Sequence, residues 1–199
     1  MAPPLTRKAR LLLVDDDRLV LSTLGSGLLD AGYEITTAES AEDAEVLLAS
    51  GMRPDLAIID IRMTGQDGLY LARRLRELDH IPFMMLSAYS EQRMIDQASR
   101  HGALGYLVKP LDTPQLLPAV EAALSRANEL QSLRETRAQL QAALDAERDI
   151  SIAIGITMAL HQLQRQDAFE LLRKTARSQR RKLAELAVEI IRSPQALKL

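Results

Sequence analysis

The chain of 199 residues has no cysteine and no tryptophan, and aromatics make up only 3% of it. The missing thiols exclude disulfide staples, thiolate metal sites and cysteine nucleophiles. No run approaches the roughly 18–20 apolar residues needed to cross a bilayer. The polar, basic stretch from Met1 to Arg10 is followed by an apolar run that meets Asp15 too soon for a secretion signal. A cytoplasmic protein without membrane contact is therefore expected. What is present is a 47% apolar composition, so the core must be built from Leu, Ile, Val, Ala and Met.

The net charge of −2 conceals an uneven distribution. Residues 1–149 hold 16 basic against 23 acidic residues, whereas residues 150–199 hold 9 against 4. An acidic front and a basic tail invite different partners, and a polyanion suits the tail.

Short apolar runs alternate with helix-period segments over the first part. The runs are Arg10–Val14, Glu34–Ala38, Leu56–Ile59, Pro82–Leu86 and Gly105–Val108. The helical segments are Arg18–Ala31, Ala41–Ser50, Gly68–Leu78, Glu91–His101 and Thr113–Ala127. This (βα)5 pattern predicts an α/β fold, a doubly wound parallel sheet covered by helices on both faces. Beyond it the pattern is all-α. Leu130, Leu133, Leu140 and Leu144 form a seam interrupted by Arg137, about two heptads long. A solvated linker helix and a short coiled coil that pairs two copies of the chain both suit it, and the second is favoured because nothing else covers the stripe. Three helices then follow. The first carries Ile150, Ile152, Ala153, Ile156, Met158 and Leu160, the second is Gln166–Ser178, the third is Lys182–Arg192, and Pro194 closes the bundle. The expected organisation is a first domain over 1–125, a helical linker over 126–148, and a three-helix domain over 149–199.

In parallel sheets the working groups gather at the carboxyl ends of the strands. Those ends carry Asp15 and Asp16 after the first, Asp60 after the third, Ser87 after the fourth and Lys109 after the fifth. Crowded carboxylates require a cation, and oxygen ligands without His or Cys point to magnesium. Such an ion would neutralise a phosphoryl group arriving at Asp60, while Lys109 and Ser87 would each hold a phosphoryl oxygen. A single aspartate after a strand is usually a turn residue or a helix cap; five suitable groups in order at strand ends leave little room for that explanation.

This set resembles the receiver domain of two-component response regulators. The matching segments are Leu13-Val14-Asp15-Asp16-Asp17, Asp55-Leu56-Ala57-Ile58-Ile59-Asp60, Gln66-Asp67-Gly68, Leu86-Ser87-Ala88 and Lys109-Pro110, within residues 8–127. The resemblance implies that Asp60 accepts a phosphoryl group from a sensor histidine kinase. It also implies that Asp16, Asp60 and the backbone carbonyl of Arg62 bind magnesium directly, with Asp15 acting through water. A cis Lys109–Pro110 bond and a switch role for Tyr106, coupled to Ser87, are further implications. One departure is Thr64, where the family commonly has proline; it is expected to touch no ligand. Aspartyl-phosphate phosphatases place two aspartates two residues apart on the first strand, unlike Asp15-Asp16-Asp17-Arg18 here, so a regulator rather than an enzyme is expected.

The tail carries Arg165, Arg173, Lys174, Arg177, Arg180, Arg181 and Lys182, a cluster suited to phosphates and otherwise explicable as a solvated face. Ile152-Ala153-Ile154-Gly155-Ile156-Thr157-Met158, Asp167-Ala168-Phe169-Glu170-Leu171-Leu172-Arg173 and Leu183-Ala184-Glu185-Leu186-Ala187 resemble the ANTAR domain, across residues 140–192. That resemblance implies binding of RNA hairpins in nascent transcripts, preventing termination. The usual Ala-Lys-Gly is Ala153-Ile154-Gly155 here, which removes one candidate phosphate contact, and the small residues are expected to permit close helix packing. A DNA-binding helical regulator and a protein-interaction adaptor are the competing classes.

Overall fold

The computed structural model describes residues 8–88 and 92–193, with the side chains of 92–95 left aside. The expected helix start at Glu91, the closing Pro194 and both chain ends lie outside the described residues. The strands are β1 (Arg10–Val14), β2 (Glu34–Ala38), β3 (Leu56–Asp60), β4 (Phe83–Ser87) and β5 (Tyr106–Val108). They form one parallel sheet in the order β2-β1-β3-β4-β5. The helices are α1 (Arg18–Asp30), α2 (Ala41–Ala49), α3 (Gly68–Arg74), α4 (Gln92–Arg100), α5 (Thr113–His161), α6 (Arg165–Ser178) and α7 (Leu183–Arg192). A π-helical turn, Leu75–Asp79, extends α3 and was not foreseen in the residue pattern.

Local chemistry sets the helix starts. The Asp17 side chain accepts from the Leu19 N–H, Ser40 from Asp43, and Asp67 from Tyr70, each satisfying an amide that the first turn leaves without a partner. These caps fall directly before α1, α2 and α3. The chain leaves α1 and α4 through Gly32 and Gly102, at φ 92° and 84°, a left-handed conformation that glycine adopts without steric cost.

Two cores flank the sheet. On one face, Leu12, Val14, Ala57, Ile59, Phe83 and Met85 pack against α2, α3 and α4. On the other, Leu11, Leu13, Leu56, Ile58, Met84 and Leu86 pack against α1 and the start of α5. The alternation follows the two-residue period of a strand, and β3 is buried on both faces. Each fully buried Leu or Ile contributes on the order of 1.5–3 kcal/mol relative to exposure.

The chain divides into two compact units, Met1–Gln131 and Ser132–Leu199, with the division inside α5. The linker expected as a separate helix is part of α5, which runs on into the first helix of the tail. The cause is local: residues 119–154 contain neither glycine nor proline, so nothing in that stretch stops a helix. Leu133, Leu140 and Leu144 are exposed, as is Leu130 to a lesser degree.

In the second unit, Ala153 and Ile154 of α5, Ala168, Leu172 and Ala176 of α6, and Leu186, Ala187 and Ile190 of α7 form one core. The expected stripe on its first helix is partly out of phase. Ile152 and Leu160 are exposed, whereas Ile154 and Thr157 are buried. The helical period places 150, 153, 154 and 157 on one face, and Thr157 is tolerated there because its hydroxyl donates to the Ala153 carbonyl.

Candidate functional site

The loops after β1, β3, β4 and β5 open at one edge of the sheet, and the expected pocket forms there. Asp15 is fully buried, Asp60 and Ser87 are nearly so, and Asp16 is exposed at the rim. A carboxylate oxygen from each of Asp15, Asp16 and Asp60 lies within 4.8 Å of the others. Lys109 Nζ stands between two of them, donating to Asp15 Oδ2 at 2.5 Å and to Asp60 Oδ2 at 2.8 Å. Behind it, the Lys109 backbone N–H donates to the Ser87 carbonyl at 2.7 Å, which holds β5 against the end of β4. The Lys109–Pro110 peptide is cis, as the resemblance implied.

The electrostatics follow from burial and pairing. Burial pushes the Asp15 carboxyl above the usual carboxylate range, offset in part by its bonds from Lys109 and the Asp17 amide. For Lys109, burial alone would disfavour the cation, but its bonds to Asp15 and Asp60 outweigh that and raise its pKa. Three carboxylates facing one ammonium leave a net negative pocket. Hard oxygen donors alone, crowded at this spacing, fit a small divalent cation such as magnesium.

Asp16 differs from its neighbours. The Thr64 hydroxyl and the Thr64 N–H both donate to Asp16 Oδ2, at 2.6 Å and 2.8 Å, holding its carboxyl below the usual range. Thr64, expected to touch no ligand, therefore touches a candidate one. A threonine standing where the family commonly has proline was the available signal, since it restores an N–H and adds a hydroxyl beside an acidic cluster.

Arg62, on the same loop, donates its N–H to Asp60 Oδ1 at 3.4 Å. Tyr106 is partly buried against the α2–α4 core and pairs across the sheet with Met85, two residues before Ser87. Its side chain thus leaves the sheet on the same face as Ser87. Gly68, at the start of α3, lies hard against the backbone of Asp60: a Cβ there would sit 1.9 Å from the Asp60 carbonyl oxygen. The residue pattern placed Gly68 in a motif without revealing this contact.

The basic residues of the second unit separate into groups. Arg173, Lys174 and Arg177 line one groove of about 370 Å³ on α6, with Glu170 and Leu171. Arg173 is 4.0 Å from Glu170 in an exposed pair. Arg180 and Lys182 are exposed at the turn between α6 and α7, and Arg165 begins α6. Arg181 is engaged with Glu189 and Gln179, which assigns it to holding α7 to the turn. Ile154 is buried in the bundle core, at a position where a lysine would have to snorkel out. Gly155 is the reverse of the expectation: a Cβ there meets no atom within 4 Å, so no close packing inside the chain requires it. Among the described residues, no helix is long and apolar enough to cross a membrane.

Comparison with known proteins bears on both units. Residues 11–121 match the response regulator receiver domain family, and residues 138–191 match the ANTAR domain family. The chain is 31% identical over 189 residues to the transcriptional regulatory protein PdtaR of Mycobacterium tuberculosis, covering 94% of this chain and 92% of that protein. Among solved structures, the chemotaxis response regulator CheY4 of Vibrio cholerae is 28% identical with a TM-score of 0.54, covering 58% of this chain and 98% of that one. A response regulator described from Chloroflexus aurantiacus is 33% identical with a TM-score of 0.55, covering 59% and 98%.

Proposed function

Because this chain belongs to the response regulators that join a receiver domain to an ANTAR domain, we propose that Asp60 is its phosphoacceptor and that a sensor histidine kinase is the donor. Both matched domains are regulatory, and the output is of the RNA-binding, antitermination kind. The observation that carries the site assignment is the Lys109 ammonium bridging Asp15 and Asp60 at the carboxyl edge of the sheet.

In the transfer, an Asp60 oxygen forms the bond to phosphorus as the bond from phosphorus to the kinase imidazole nitrogen breaks, and that nitrogen takes up a proton. Lys109 exchanges its Asp60 oxygen for a phosphoryl oxygen, and the Ser87 hydroxyl bonds another. Asp16, Asp60 and the Arg62 carbonyl would hold magnesium, with Asp15 helping through water. That ion would supply charge neutralisation at the phosphoryl oxygens. Tyr106, on the face it shares with Ser87, is the element that carries the change outward. The chain's part is regulatory, with no independent enzymatic turnover, in the cytoplasm.

The domain reading is a receiver over 1–125, a helical connector over 126–148 and an RNA-binding bundle over 149–199. The open leucine seam on α5 supports homodimerisation through that connector. RNA contact is read onto Arg173, Lys174 and Arg177 with Arg165, Arg180, Lys182 and Arg181, the last also paired with Glu189. The ANTAR match favours hairpin RNA, with the basic groove on α6 supplying phosphate contacts and loop bases the specificity.

The test is intact-mass measurement after exposure to a small phosphodonor with magnesium. One phosphoryl group is expected on the native chain and none on Asp60→Asn, with cooperative melting showing that both are folded. Phosphorylation persisting in Asp60→Asn would overturn the assignment.

A further inference from the structure

Asp16 is the one exposed member of the carboxylate cluster, and an exposed aspartate ordinarily samples several rotamers. Here it is held. Two donors from Thr64, one main-chain and one hydroxyl, converge on a single oxygen, Oδ2, across 48 residues of sequence. A carboxylate oxygen has two lone pairs, so Oδ2 is occupied and Oδ1 is left to accept a cation. The same contacts tie the loop after β1, which carries Asp16, to the loop after β3, which carries Arg62. A proline at 64 could provide neither donor.

We propose that Thr64 is a positioning residue for the divalent cation, presetting the Asp16 carboxylate and joining the two ligand-bearing loops before an ion arrives. The inference rests on the reading of Asp16 and Asp60 as magnesium ligands. Its physical content is preorganisation: a side chain already fixed loses less freedom when the ion binds. Thr64 is exposed and makes its contact through a terminal hydroxyl, so removing that hydroxyl leaves the core untouched.

The experiment is calorimetric titration of magnesium into the full chain, with melting in chelator to show that each variant is folded. Thr64→Val, which keeps the shape and the N–H but lacks the hydroxyl, is expected to bind magnesium about three- to tenfold more weakly. Thr64→Ser should restore native affinity, and Thr64→Val should have no effect in an Asp16→Ala background, which leaves no oxygen at 16 to position. Unchanged or tighter binding by Thr64→Val would overturn the proposal, tighter binding by showing that Thr64 competes with the ion. Equal weakening by Val and Ser would also overturn it, because shape rather than the hydroxyl would then be responsible. No saturable binding by the native chain would overturn the metal reading itself, and this inference with it.

Discussion

Replacing Gly68 by alanine separates a rule about helices from the geometry of this pocket. Alanine in a helix is ordinarily favoured over glycine by up to about 1 kcal/mol, so propensity alone predicts a gain. At Gly68 the added Cβ would lie 1.9 Å from the Asp60 carbonyl oxygen, 2.9 Å from the Asp60 carbonyl carbon and 3.0 Å from Ile59 Cγ2. The first two neighbours are backbone of the central, fully buried strand, which cannot rotate aside. Relief requires α3 to lift by more than an ångström, and overpacking of this kind costs about 1–3 kcal/mol. Gly68 is the first residue of α3, where the interior helix preference hardly applies, so the net expectation is a loss of about 1–3 kcal/mol in urea unfolding of the receiver transition, with slowed phosphorylation because Asp60 itself is displaced. Gly155→Ala is the matched control. It stands mid-helix with open space around its Cβ, and should stabilise the second unit by up to about 1 kcal/mol. Both variants are read by the same denaturation curves and intact-mass assay. A neutral or stabilising Gly68→Ala would refute the close approach of α3 to Asp60.

Lys109→Met leaves the buried Asp15 and Asp60 without their cation, and should cost about 3–5 kcal/mol in chelator, with part of the loss recovered when magnesium is added. A loss under about 1 kcal/mol by urea midpoint would mean that the ammonium does not hold the pocket. Arg173→Ala with Arg177→Ala should weaken hairpin binding and reduce the slope of log affinity against log salt by about 2, read by fluorescence anisotropy with duplex DNA as competitor. An unchanged slope would move the phosphate-binding face elsewhere, and preference for duplex DNA would contradict an RNA output. Leu133→Lys with Leu140→Lys should convert a dimer to a monomer in sedimentation equilibrium. A native chain that is monomeric at every concentration tried would remove the proposed pairing of the α5 seam.

The central strands β1 and β3 were legible almost to the residue because burial on both faces leaves an unbroken apolar run, as in Leu56–Ile59, followed by a carboxylate at the edge. The pocket was legible for a related reason: parallel topology brings strand ends together, so residues separated in sequence could be placed at one site from their order alone. What the pattern did not reveal was contact geometry. Thr64 reaches Asp16 through loop conformation, and Gly68 meets the Asp60 backbone through helix placement, neither of which has a periodicity. In the tail, Ile152 and Leu160 were drawn into the expected core by hydrophobicity, while Thr157 was missed because its polarity is satisfied by the preceding turn. The continuity of α5 across both units has no signal in the sequence beyond the absence of glycine and proline over 119–154, which permits a helix to run on without requiring it.

β5 is three residues long and pairs on one side only, with β4, whereas β3 is bonded to both β1 and β4. Asp60 therefore ends a strand anchored on both sides, and Lys109 follows a short strand anchored on one. On the proposed reading, a phosphoryl group at Asp60 is taken up by a strand held from both sides, while the ammonium that answers its charge follows a strand held from one. Displacing the rim at Lys109 therefore disturbs fewer ladder bonds than displacing Asp60.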